Sequence, residues 1–459
     1  MRTCRPWATS PGRRPMAQAA RRPARLATAS GPRKSREGQP DLAQAAESPE
    51  LAVPLAQARG LCLRRRDPRR NPGCGMETAT QDGRRRAMSK GVFYYSDAFQ
   101  SYDMGPQHPL KPIRLRRTWE LLREYGALEA VRVEEPSPCT TADLIPAHSP
   151  EFVEAVRAVN EGPSPSGRHV RFGLGFGDNP LFPGIWDASC LYTGASLDAA
   201  QAVVDGAPVA MNISGGLHHA HYDRAAGFCV FNDCVVAIHR LRSRFQRVAY
   251  VDIDVHHGDG VQEAFYSDPT VLTLSIHETG QTLYPGTGFV GELGVREGHG
   301  YSVNVPLWPY TNDAIWVGAW RRAALPILQA FRPQAVVVQL GADPHFLDPL
   351  AHLFLTAQGW LEAVVDVHAL GVPVVALGGG GYCPTTVPRM WALAFSELFG
   401  VDLPDATPPT FSYHDHIPVL RDHELPELEP HDLERAAHYA ERTVREVREH
   451  LFPLHGLDA

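Results

Sequence analysis

Val248-Ala249-Tyr250-Val251-Asp252-Ile253-Asp254-Val255-His256-His257-Gly258-Asp259-Gly260 changes character halfway along. Its first residues are apolar without strict alternation, the mark of a strand covered on both faces. Its later residues are carboxylates and imidazoles. Four other runs share the apolar half: Pro208–Ile213, Val271–Ile276, Ala335–Leu340 and Val372–Leu377. Helical patterns over Asn232–Phe245, Asp313–Phe331 and Ala357–Leu370 separate several of them. Alternating strands and helices predict an α/β fold, a mostly parallel β-sheet with helices on both faces. Upstream, Gly91–Tyr95 reads as a short strand, and Arg114–Glu124 and Ala188–Gly206 as helices. Ser149–Val159 also reads as a helix, with Ser149 as its cap and Pro150 in its first position.

Composition narrows the class. The chain has 459 residues, 44% hydrophobic and 21% charged, with a net charge of −7, ordinary for a globular protein. It has no uninterrupted apolar run long enough to span a membrane. The charge is unevenly spread: residues 1–88 carry 19 basic and 7 acidic residues, and the remainder carries 25 and 44. The acidic body repels phosphates, so no specific nucleic-acid partner is expected. Residues 1–88 are rich in Arg, Pro, Ala and Gly and predict a disordered tail. Met88-Ser89-Lys90-Gly91-Val92 looks like a natural protein start, so the tail also reads as an over-extended translation start. A chain beginning at Met88 is expected to fold and act alone. The expected catalytic domain covers 89–400. Residues 401–459 form an acidic, Pro-containing extension that ends in a helix packed on the domain, roughly Asp432–His450. The eight cysteines include no CxxC pair, so a reducing, cytoplasmic setting fits best.

In open parallel sheets, ligands bind beyond the carboxyl ends of the strands. Here five apolar runs end in polar residues suited to metals or proton transfer. In Asp252-x-Asp254-x-His256 the side chains two apart share one side of the extended chain. One or two of them can ligate a divalent cation while another orients a neighbour. Asp343, after its own apolar run, completes a set of Asp254, His256 and Asp343. Two carboxylates and one imidazole with an open position describe a catalytic metal site. Zn2+ is the default ion, and Fe2+ suits the oxygen-rich set as well. His218-His219 follows Ser214-Gly215-Gly216, whose glycines let the chain turn both imidazoles into one cavity. Asp252 and Asp259 remain to orient them. The pair can then serve as general base toward water and as acid toward a leaving amine. Tyr382 ends a run of four glycines, where a phenol can donate to an oxyanion. Neither a dinucleotide fingerprint nor a phosphate-binding loop nor a Gly-x-Ser-x-Gly elbow occurs.

Together these segments closely resemble the zinc-dependent histone deacetylase superfamily, most nearly its bacterial acetoin-utilisation-type deacetylases. The resemblance runs from about Gly91 to Phe399 through GGLHHA, GFCVFND, DIDVHHGDG, YPGTG, GADPHFLDPL and GGGGY. It implies a single arginase/deacetylase-like α/β domain. It implies Asp254, His256 and Asp343 as metal ligands, His218 and His219 as the catalytic pair, Asp252 and Asp259 as their partners, and Tyr382 as the oxyanion donor. Phe228 and Tyr284 would flank an acyl-lysine tunnel, with Gly227 and Leu350 near its wall, and Asp178 would hold the substrate backbone. Asp252, Asp254 and Ser275 would share a structural monovalent-cation site, usually K+. The implied activity removes acetyl or related acyl groups from lysine side chains of proteins or peptides. Rival readings are an acetylpolyamine amidohydrolase acting on a small acetylated amine, an arginase-like ureohydrolase and an inactive binding scaffold. The ureohydrolases usually carry a second Asp beside the Asp343 position, which Gly341-Ala342-Asp343-Pro344-His345 lacks. The chain departs from the family at Tyr284, where Phe is usual, and over the segment Pro344-His345-Phe346-Leu347, which differs from the eukaryotic enzymes.

Overall fold

The computed structural model describes residues 91–163, 166–425 and 427–459. Among these, eight strands form one sheet. They are β1 (Val92–Tyr94), β2 (Arg132–Glu134), β3 (Val209–Asn212), β4 (Val248–Asp252), β5 (Val271–Glu278), β6 (Ser302–Leu307), β7 (Ala335–Gln339) and β8 (Val374–Leu377). Their spatial order is β2-β1-β3-β8-β7-β4-β5-β6. Every neighbouring pair runs parallel. The five apolar runs are therefore β3, β4, β5, β7 and β8, and each is buried along its whole length. Helices cover the sheet, so a strand needs no polar face. Each Val buried this way contributes about 1.5–3 kcal/mol.

Both sheet edges lie outside those five runs. β6 contains Pro306, which lacks an amide proton and is tolerated at an edge. Its outer side is covered by the helix Pro430–Leu451, whose Thr443 hydroxyl donates to the Pro306 carbonyl at 3.0 Å. The other edge, β2, is exposed and carries no apolar pattern. The helix expected over Asp313–Phe331 is one helical path with a π-type segment at Trp320–Ala324, just before Pro326. A proline removes an amide donor, and the widened turn absorbs that loss. Ser149 caps the helix Pro150–Arg157 by accepting from the Phe152 amide. A buried helix at Val387–Phe399, carrying Trp391 and Phe395, has no counterpart in the sequence reading.

All described residues belong to one compact unit. Among them, no helix is long and apolar enough to cross a membrane. The tail expected at 1–88 lies outside the described residues.

Candidate active site

The carboxyl ends of β3, β4, β7 and β8 meet at one rim. β4 supplies the centre. Its last residue, Asp252, accepts from the Asp254 amide at 3.1 Å, and Asp254 in turn accepts from the His256 amide at 3.0 Å. These two short local bonds curl the chain as it leaves the sheet. Across the rim, the Val255 amide donates to Asp343 Oδ1 at 2.9 Å. Gly380 N and Gln339 Nε2 each donate to Asp254 Oδ2 at 2.8 Å. Backbone packing is close here. A Cβ on Gly380 would lie 2.0 Å from Asp343 Oδ2. Gly380→Ala is therefore expected to displace this carboxylate and weaken metal binding about tenfold or more, the scale seen when a metal's supporting shell is disturbed. Metal content after dialysis against a graded chelator checks this; wild-type retention would refute it.

Asp254, His256 and Asp343 are buried, and their ligand atoms all lie within 4.8 Å of one another. Asp254 Oδ1 and Asp343 Oδ2 face His256 Nδ1 at 3.0 and 3.1 Å. Burial, with the Asp254 charge beside it, pushes the Asp343 carboxyl up to about 6. Burial disfavours a charged His256, but the two carboxylates outweigh it and hold the imidazole well above its usual range. Two buried carboxylates this close repel unless a positive charge lies between them. A divalent cation fits that demand and this donor set.

The imidazole pair lies alongside. His218 Nε2 and His219 Nε2 are 3.1 Å apart. His218 Nδ1 meets Asp252 Oδ2 at 2.8 Å, and His219 Nδ1 meets Asp259 Oδ1 at 2.7 Å. Each ring thus has its own carboxylate on the far nitrogen. Burial opposes charge on both. The Asp252 and Asp254 carboxylates nevertheless raise His218 to about 9, whereas burial and the charge on His218 lower His219 to about 4. A dication at the neighbouring triad would draw both down. The turn that aims the pair is held by the start of the helix Asp233–Leu241. Asp233 accepts from the Gly216 and Leu217 amides at 2.9 and 2.8 Å, and Asn232 donates to the His218 carbonyl at 3.1 Å.

Tyr382 closes the rim opposite. Burial and the Asp343 and Asp254 charges push its phenol well above the ordinary value, so it stays a neutral donor. Its ring is 6.3 Å from His256 and 5.6 Å from Phe228. The histone deacetylase domain model matches residues 108–398. The chain belongs to the histone deacetylase family. Over 330 residues it is 39% identical to the acetoin utilization protein AcuC of Bacillus subtilis (strain 168), covering 70% of this chain and 85% of that protein. Over 341 residues it is 38% identical to histone deacetylase 1 of Oryza sativa subsp. japonica, covering 73% of this chain and 64% of that one. The crystal structure of an HDAC homologue from Aquifex aeolicus matches with a TM-score of 0.70 at 29% identity, over 78% of this chain and all of that one. The fold is thus the deacetylase-like one, and the chain is a hydrolase of the deacetylase family.

The residues expected along this family member's channel fall into two sets. The Tyr284 ring lies 5.0 Å from His219, and Phe228, held at a left-handed φ of 69°, packs edge-on against Tyr382. Gly227 leaves room for the His219 ring, which a Cβ would approach to 2.4 Å. Leu350 is joined to Tyr382 through Asp348, which accepts from both amides at 3.0 and 2.7 Å. Asp178 lies farther out, exposed on a turn whose carbonyl approaches His108 Nε2 at 3.3 Å. Ser275 is opposite Asp252 in the β4–β5 register, and its hydroxyl lies 2.8 Å from His277 Nδ1.

Several site residues escaped the sequence reading. Tyr250 donates to Asp252 Oδ2 at 2.7 Å; its position two residues earlier in the same strand was the available signal. Gln339, at the end of an apolar strand, offered a similar one. Arg114 is buried, donates to the Gly381 carbonyl at 3.0 Å and stacks over Trp391. One of four Arg on the helix Ile113–Glu124, it carried no sequence signal that set it apart. His221 also joins the pair's surroundings, with Nε2 3.4 Å from Asp259 Oδ2 and Nδ1 against Glu263.

Proposed function

We propose that this deacetylase-family chain is a metal-dependent amidohydrolase that removes acetyl or related acyl groups from lysine side chains of proteins or peptides. The observation that carries the reading is the His218–His219 pair, each ring with its own carboxylate, opening onto the rim that holds Asp254, His256 and Asp343. Those three would hold the ion, Zn2+ by default and Fe2+ as the alternative, which when bound supplies Lewis-acid polarisation. His219 then accepts a proton from the attacking water. Its contact with His218 lets the pair return a proton to the departing amine. Asp252 and Asp259 keep each far nitrogen protonated, so the facing nitrogens are free for this exchange. Tyr382 donates its phenolic proton to the oxygen that gains charge. Phe228 and Tyr284 sheathe the alkyl chain and exclude water, with Gly227 and Leu350 along the wall. Asp178 engages the peptide backbone outside. A structural K+ among Asp252, Asp254 and Ser275, a catalytic domain at 89–400 and a cytoplasmic location belong to the same reading. The five described cysteines are free thiols, which supports the last.

The test is a substrate panel on purified protein with metal analysis. An acetyl-lysine peptide should turn over faster than acetylated polyamines, and chelation should abolish activity that zinc or iron restores. Preference for the polyamine would replace the protein substrate with a small amine. No turnover by metal-loaded protein would favour a binding scaffold.

A further inference from the structure

Glu278, the last residue of β5, has a fully buried side chain that the chemistry above leaves unused. Both oxygens are engaged. Oε1 accepts from the Thr282 hydroxyl at 2.9 Å and from His352 Nδ1 at 3.1 Å, and Oε2 accepts from the His352 amide at 2.9 Å. Thr282 stands two residues before Tyr284, and His352 two residues after Leu350. One carboxylate therefore ties the segment carrying Tyr284 to the segment carrying Leu350. The second segment is gripped at its other end too, where Asp348 accepts from the Leu350 and Tyr382 amides. The stretch 348–352 is thus clamped between two buried carboxylates, one joined to Tyr382 and the other to the Tyr284 segment. An isolated buried carboxylate is costly, so donors from two separate segments must both stay in place to satisfy it. The hydrogen bond to Glu278 also raises the His352 imidazole above its ordinary range, which strengthens the tie.

We infer that Glu278 is a positioning residue that sets the spacing of the two channel walls and so governs how tightly the substrate's alkyl chain is held. The inference rests on the acyl-lysine reading above. Glu278 touches neither the triad nor the imidazole pair. Loosening it should cost binding that is shared by ground and transition states, which appears in KM and not in kcat.

The experiment is steady-state kinetics on an acetyl-lysine peptide with full-length, metal-loaded protein. Glu278→Gln removes one acceptor, and its new amide faces a donor. KM should rise about tenfold, the scale of one lost charge-assisted hydrogen bond, while kcat stays within about twofold. His352→Ala and Thr282→Val each remove one side-chain donor to Glu278 Oε1 from an exposed position, weakening the same tie, and carry the test if Glu278→Gln does not fold. Glu278→Gln/His352→Ala should raise KM by less than the two single effects combined, because both variants loosen the same tie between the two segments. A residue that merely stabilised the fold would lower the thermal midpoint without this KM-against-kcat split or this non-additivity. Near-wild-type KM in folded single variants, a loss confined to kcat, or additive effects in the double variant would each overturn the inference while leaving the deacetylase reading intact. A wild-type protein inert toward the peptide would overturn both.

Discussion

Asp343→Asn loses bound metal and, with it, turnover by about 10³-fold or more, the scale of several kcal/mol of lost charge stabilisation. This variant is cleaner than Asp254→Asn. Asp343 Oδ1 accepts from the Val255 amide, which an Asn carbonyl can still do, while Oδ2 faces His256. Asp254 accepts on both oxygens, from His256 N on one and from Gly380 N and Gln339 Nε2 on the other. An Asn there must turn an amino group toward a donor, so Asp254→Asn should lower stability as well as remove metal. His219→Ala is the contrast. Its ring lies 5.7 Å from the His256 ring and is bound to Asp259, so metal should remain while most turnover is lost. Metal per chain, kcat and thermal midpoint, measured on all three, separate ligand from base. A folded but metal-free His219→Ala protein would show that these roles had been exchanged.

Tyr382→Phe deletes one hydroxyl and keeps the ring. The backbone that carries Tyr382 is fixed by Asp348 and by the Arg114 contact to Gly381, and neither uses the phenol. Packing against Phe228 should therefore survive, with bound metal unchanged. The phenol's benefit is larger in the transition state than in the bound substrate. Turnover should fall by roughly 10²–10³-fold, the scale for losing one oxyanion donor. KM should move far less. Steady-state kinetics with metal content and thermal midpoint in parallel provide the check. Near-normal turnover in a folded, metal-loaded protein would leave Tyr382 as a packing residue and remove the oxyanion donor from the mechanism.

Most of the rim was legible because two local patterns carry it. The apolar runs at β3, β4, β5, β7 and β8 mark strands covered on both faces, and the polar residues just beyond them mark the rim. The two-residue repeat pointed to Asp252, Asp254 and His256, although β4 ends at Asp252 and the local curl beyond it, not strand alternation, brings Asp254 and His256 to the rim. Edges were not legible in the same way. β6 hides behind Pro306, and β2 is three exposed residues, so neither carries the pattern of an interior strand.

Local sequence determined which residues form strands, which way their side chains alternate and which end of each strand is polar. Those choices rest on steric and solvation preferences acting within a few residues. Only the tertiary structure decided what stands beside what. The order that sets β7 between β8 and β4 brings Asp343 to the Val255 amide across 88 residues of sequence. Arg114 reaches the Gly381 carbonyl across 267 residues, and Glu278 reaches His352 across 74. No short-range pattern encodes such pairings. Their partners are chosen when buried charges and backbone groups must be satisfied in a water-poor interior, and that demand arises only after the strands have assembled.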